Sequence, residues 1–117
     1  MTASSADSPC IVMTAVGTED EAEQLAAAMV EARLAACVQV QHVRSFYSWK
    51  GELHREPEWV LMAKSRTAVY AALEAFILAH HSYETPEVVQ IPITAGAAGY
   101  LGWLAAGTAP LPPPAQE

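Results

Sequence analysis

Basic residues are scarce: six Lys and Arg stand against thirteen Asp and Glu, a formal charge of −7. Affinity for phosphate backbones rests on Lys and Arg, so nucleic acid is not an expected partner. No apolar run approaches the roughly 18 residues of a membrane span, and no basic residue precedes Arg33 to head a secretory signal. The expected location is the cytoplasm. There are two cysteines, Cys10 and Cys37, and no CxxC. Neither a disulfide framework nor a four-cysteine zinc site can be built from them, so free thiols are expected. A glycine-rich phosphate loop and a GxSxG nucleophile motif are both missing, and the chain reads as non-enzymatic.

What is present is apolar mass: 52% of 117 residues are hydrophobic, enough for one substantial core in a single domain. The small, polar or proline-rich ends, 1–7 and 108–117, read as flexible tails around a folded region over 8–107. Cys10 to Val16 is a nearly continuous apolar run, as in a strand buried on both faces. Thr18 stands three before Glu21 as a capping box, and Ala22, Leu25, Ala26 and Met29 follow at helical spacing, predicting a helix that ends near Leu34. A β-rich stretch runs from Cys37 to Trp49, with a phase slip before Tyr47 that predicts a bulge or bend. Lys50-Gly51 supplies a tight turn, and Glu52 to Lys64 returns as its partner in a long hairpin.

Ser65 or Thr67 is expected to cap a second helix, on which Val69, Leu73, Phe76, Ile77 and His80 form one stripe. Pro86 is expected to stop anything helical. Glu87 to Thr94 reads as a last strand, placed at a sheet edge by Pro92, and Ala98 to Ala106 as a short closing helix. The order βαββαβ followed by α predicts an α+β, ferredoxin-like sandwich, a four-stranded antiparallel sheet with helices on one face. Activities known on that plan find no support. Val16-Gly17-Thr18-Glu19-Asp20 is acidic where an acylphosphatase needs an arginine-bearing anion loop, and it lacks the cysteine pair of a metal chaperone.

Five segments occur in order: Leu34-Ala35-Ala36-Cys37-Val38, Ser45-Phe46-Tyr47-Ser48-Trp49-Lys50-Gly51, Lys64-Ser65, His80-His81-Ser82-Tyr83-Glu84-Thr85-Pro86-Glu87 and Tyr100-Leu101-Gly102-Trp103. Together they resemble the CutA family of divalent-cation tolerance proteins. The resemblance implies a tight homotrimer, similar in architecture to the PII signalling proteins and linked to tolerance of copper and other divalent metals. It also implies a metal site at His80, His81 and Met13, where Met13 stands in the strand-one position of a cysteine ligand. A thioether there suits Cu(I), and imidazole suits Cu(II). Ser82 stands where the family has proline, which predicts a less rigid loop.

Read from the residues alone, these positions have plainer roles. His80 closes the apolar stripe at a helix C-terminus, and Met13 fills an apolar strand. Adjacent helical residues point about 100° apart, so His80 and His81 chelate one ion only if the last turn unwinds. Tyr47, Trp49 and Trp59 exceed what a hairpin outside the core can bury, and read as subunit interface. Lys64 beside Ser65 at a helix start is the basis of a second reading, a PII-like signalling module holding a small anionic ligand between subunits. Organic cofactors are not expected.

Overall fold

The computed structural model describes residues 7–111. Of the tails expected at 1–7 and 108–117, residues 1–6 and 112–117 lie outside the described residues. The elements run β1 (Pro9–Val16), α1 (Glu19–Glu31), β2 (Cys37–Trp49), β3 (Glu52–Arg66), α2 (Thr67–His80), β4 (Val89–Pro92) and α3 (Ala98–Gly107). The four strands form one antiparallel sheet in the order β2-β3-β1-β4. This is the ferredoxin-like arrangement that the order of elements predicts.

Alternation along β1 divides the sheet into two faces. Cys10, Val12 and Val16 point into a core shared with Ala22, Leu25 and Met29 of α1 and Leu73 and Ile77 of α2. Ala63 and Leu61 of β3, opposite Val12 and Thr14, complete it. The residues between, Ile11 and Met13, face the other way, beside Met62 of β3 and Val89 and Ile91 of β4. Val89 and Ile91 are exposed, so this open face carries apolar side chains that α1 and α2 do not cover.

Pairing of β2 with β3 is unbroken from Cys37↔Lys64 to Trp49↔Glu52, so the expected bulge does not form. β1 ends opposite Trp59, and beyond it β2 and β3 pair only with each other. The phase slip marks the place where the helix layer stops and the other side of the hairpin becomes the apolar one. Lys50 and Gly51 both take positive φ, 51° and 82°, which is the primed two-residue turn that matches strand twist. The projecting arm gives a radius of gyration of 16.0 Å, against about 13 Å for a compact domain of this length.

The ends of the helices differ from expectation. Thr18 caps α1 as its spacing predicts, with Oγ1 accepting from the Glu21 amide at 3.1 Å. The helix stops at Glu31 rather than near Leu34, because Arg33 turns the chain with φ of 60°. Neither Ser65 nor Thr67 caps α2. The cap residue is Arg66, while Ser65 donates its hydroxyl to Leu34 O and Thr67 Oγ1 accepts from the Ser8 amide. Asp7 Oδ1 accepts from the Ala68 amide at 3.4 Å instead, a carboxylate at the positive helix end. α2 ends at His80, and the extended backbone of its C-cap, His81, leaves the helix five residues before Pro86, so proline is not what stops it. β4 spans four residues, fewer than the Glu87–Thr94 expected, with Pro92 at the sheet edge opposite Cys10.

Tertiary contacts reach beyond 8–107 at both ends. The Arg66 guanidinium binds Asp7 Oδ2 at 2.6 Å and both Oγ1 and O of Thr108, which is 4% exposed.

Cys10 is fully buried, and burial, with the Asp7 charge adding to it, pushes its thiol from 9.0 to about 11. The folded state therefore holds that proton more tightly than the unfolded chain does. Its contribution to stability is complete below about pH 9 and is lost as the pH rises through about 11. We expect iodoacetamide to leave Cys10 unmodified in the native protein at mildly alkaline pH and to label it fully in denaturant, as read by peptide mass mapping. Rapid labelling of native Cys10 would contradict this burial.

Candidate functional site

The loop after α2 wraps around the C-terminal end of β1 to reach the open face, and each side chain in it is held by a different element. His80 is exposed on the last turn of α2, stacked on Phe76 with ring centroids 4.2 Å apart. Its Nδ1 donates to Phe76 O at 2.7 Å, which leaves Nε2 with a free lone pair. His81 has no such freedom. Ala15 O can only accept and the Tyr83 amide can only donate, so Nε2–H donates to Ala15 O at 2.8 Å and Nδ1 accepts from Tyr83 N at 3.1 Å. Both nitrogens of the neutral ring are used.

Ser82 donates from its amide to Glu21 Oε2 at 3.2 Å and from its hydroxyl to Glu21 Oε1 at 3.1 Å. Where a proline would stiffen the loop by its ring, this chain ties it to α1 by two hydrogen bonds, neither of which proline could donate. Tyr83 then crosses Gly17, where an added Cβ would lie 3.0 Å from the tyrosine hydroxyl. That hydroxyl donates to Glu58 Oε2 at 2.8 Å. Burial, first, then this hydrogen bond and the Glu58 charge push the Tyr83 hydroxyl well above its ordinary value. The Tyr83–Glu58 pair is a contact of the candidate site that sequence reasoning missed. Its partners are 25 residues apart and on different elements, so no local spacing signals it.

Between this loop and the base of the hairpin lies a cavity of about 590 Å³. Ser45, Tyr47, Trp49 and Glu58 form its hairpin wall, and Tyr83, Glu84 and Glu87 its loop wall. Tyr47 stacks on His54 with centroids 5.2 Å apart, and both Tyr47 and Trp49 remain exposed. Trp59 does not join them. It stacks on His42 at 4.5 Å on the helix side of the sheet and packs against the core.

The three expected metal ligands do not converge. His80 sits on α2, His81 has no unused nitrogen, and Met13 faces away from the helices in register with Met62 and Val89. Among the described residues no group of three or more His, Cys, Asp or Glu is placed to hold a metal ion. This conformation therefore does not fit a closed copper chelate. Lys64 and Ser65 separate in the same way. Ser65 is buried toward the core, and Lys64 Nζ donates to Gln39 Oε1 at 3.0 Å beneath the Tyr100 ring. Lys64 also lies six residues along β3 from Glu58, about 20 Å at strand rise, and takes no part in the cavity wall.

Known proteins share this architecture. Residues 10–107 match the family described as CutA1 divalent ion tolerance protein. The divalent-cation tolerance protein CutA of Thermus thermophilus is 39% identical over 99 residues, 84% of this chain and 96% of that one. The chloroplastic protein CutA of Arabidopsis thaliana is 36% identical over 95 residues, 80% of this chain and 52% of its own longer length. A solved structure of a CutA from Archaeoglobus fulgidus, described as periplasmic, superposes with a TM-score of 0.84 at 30% identity, covering 86% of this chain and 99% of that one. With the fold, the ordered motifs and the sequence identity in agreement over most of its length, the chain belongs to the CutA1 family of divalent ion tolerance proteins.

Proposed function

We propose that the chain is a non-enzymatic, homotrimeric, cytoplasmic binding protein that takes part in the response to divalent metal ions. The observation that carries this reading is the apolar face of the sheet that α1 and α2 leave open, with Ile11, Met13, Met62, Val89 and Ile91 on it, continued by Tyr47 and Trp49 on the projecting arm. An aromatic and aliphatic surface of this kind marks an interface. Copper, in this reading, is held by His80 Nε2 alone while His81 stays on Ala15, so the affinity is modest and the site open.

Calorimetric titration with Cu(II) tests the contact. The parent should bind weakly, and His80→Ala should bind at least tenfold more weakly still. Binding should also weaken on acidification, because only neutral imidazole coordinates. Equal copper binding by parent and variant would place the contact elsewhere.

The cavity supports a second reading, that of a PII-like module which responds to a small molecule. Its volume falls within the roughly 300–1,000 Å³ of small-molecule sites, and the loop that closes it is pinned at Ala15, Glu21 and Glu58. Lys64 does not line this cavity within one chain.

A further inference from the structure

We infer that the helix-side face of the projecting arm, which carries Phe46, Leu53, Arg44 and Arg55, is a second subunit contact, covered by an acidic surface of the neighbouring copy. The inference rests on the homotrimer reading and adds to it a face that a contact through Tyr47 and Trp49 leaves uncovered. Register fixes which side chains share this face. Trp59 packs against the helix-side core and His42 stacks on it. Alternation from that pair puts Arg44 and Phe46 of β2 on the same side, opposite Pro57 and Arg55 of β3, with Leu53 next along. Tyr47 and Trp49 point the other way.

Within one chain this face has no covering layer, because β1 ends opposite Trp59 and the arm beyond it is two strands. Phe46 is 59% and Leu53 65% exposed, more than any other large apolar side chain in a described strand. They are diagonal cross-strand neighbours and form one patch. A two-stranded ribbon is marginally stable in water unless something packs on it, and the Tyr47 and Trp49 contact accounts for one of its faces only.

Charge selects the occupant. The arm is segregated: Glu52, Glu56 and Glu58 share a face with Tyr47 and Trp49, whereas Arg44 and Arg55 share theirs with no acid. Neither guanidinium forms an ion pair among the described residues. Arginine beside aromatic and aliphatic side chains is the composition of an interface core. The chain has thirteen Asp and Glu against six Lys and Arg, so a neighbouring copy readily supplies the carboxylates. Subunits in a three-fold ring meet through unlike patches, and a basic arm face closing on an acidic surface of the next subunit is a contact of that kind.

Hydroxyl-radical footprinting of the whole protein, read by peptide mass spectrometry beside a light-scattering mass, tests the cover directly. Leu53 should be modified at least fivefold more slowly than Leu78, a residue of the same type that is 50% exposed on α2. Arg44→Glu combined with Arg55→Glu should raise the concentration at which the assembly dissociates at least tenfold, while the double change to Lys leaves it within about twofold of the parent. Both variants alter the arm outside the core, and circular dichroism should show them folded; if they are not, the footprint of the parent decides alone. Leu53 modified as fast as Leu78 in a protein of trimer mass overturns this inference and leaves the homotrimer reading standing. A single-chain mass overturns both. Protection of Leu53 with unchanged dissociation of the Glu variant overturns the acidic occupant.

Discussion

Met62→Glu is expected to dissociate the protein into folded single chains. Met62 lies on the open face, directly between Met13 of β1 and Gln39 of β2. In one isolated chain this position is half-buried and a carboxylate there can reach water. Inside a trimer the same carboxylate would be buried once per subunit, with Lys64, whose ammonium already serves Gln39, as the basic group beside it, at a cost of about 3 kcal/mol each. That is enough to overcome association at micromolar concentration, while the helix-side core is untouched. Circular dichroism should show retained secondary structure and light scattering a single-chain mass. An unchanged mass would mean that the open face is not the interface.

A large loss of stability is expected from Leu73→Ala and almost none from Leu78→Ala, although both residues lie on α2. Leu73 is fully buried against the sheet, whereas Leu78 is 50% exposed. Removing a buried leucine side chain costs its transfer free energy and leaves a cavity, together about 2–5 kcal/mol. An exposed site away from caps and charges moves stability by about 0.5 kcal/mol or less. Thermal melts of the two variants should therefore separate by many degrees. Equal shifts would show that α2 does not pack on the face assigned to it.

Elements with strong periodicity or local chemistry were legible from the residues. The capping box at Thr18, the turn at Lys50-Gly51, the edge position of Pro92 and the βαββαβ order each follow from rules that act over a few residues, and the structure contains each of them. What could not be read depended on partners distant in sequence. Ser65 and Thr67 have the right chemistry to cap α2, but Leu34 O and the Ser8 amide claim their hydroxyls, and Asp7 serves in their place. The expected bulge failed for a related reason. Periodicity reports which side of a strand is covered, and on the hairpin that side changes where β1 and the helix layer end.

The candidate site was legible in part. HHSYETPE was visible as a cluster of donors, but which of them stay free depends on Ala15, Glu21 and Glu58, none adjacent in sequence. The histidine pair looks like a chelate until His81 is found with both nitrogens committed. The cavity is a property of the loop and hairpin together, and neither segment shows it alone.

Assembly carries the most weight, because the open sheet face and the projecting arm leave large apolar side chains exposed in a single chain. Light scattering on the full-length protein at micromolar concentration measures it directly. An aromatic and aliphatic interface of the obligate kind buries more than about 2,000 Å² and persists at that dilution. The account predicts a mass three times the 12.5 kDa of one chain. A mass equal to one chain would contradict it.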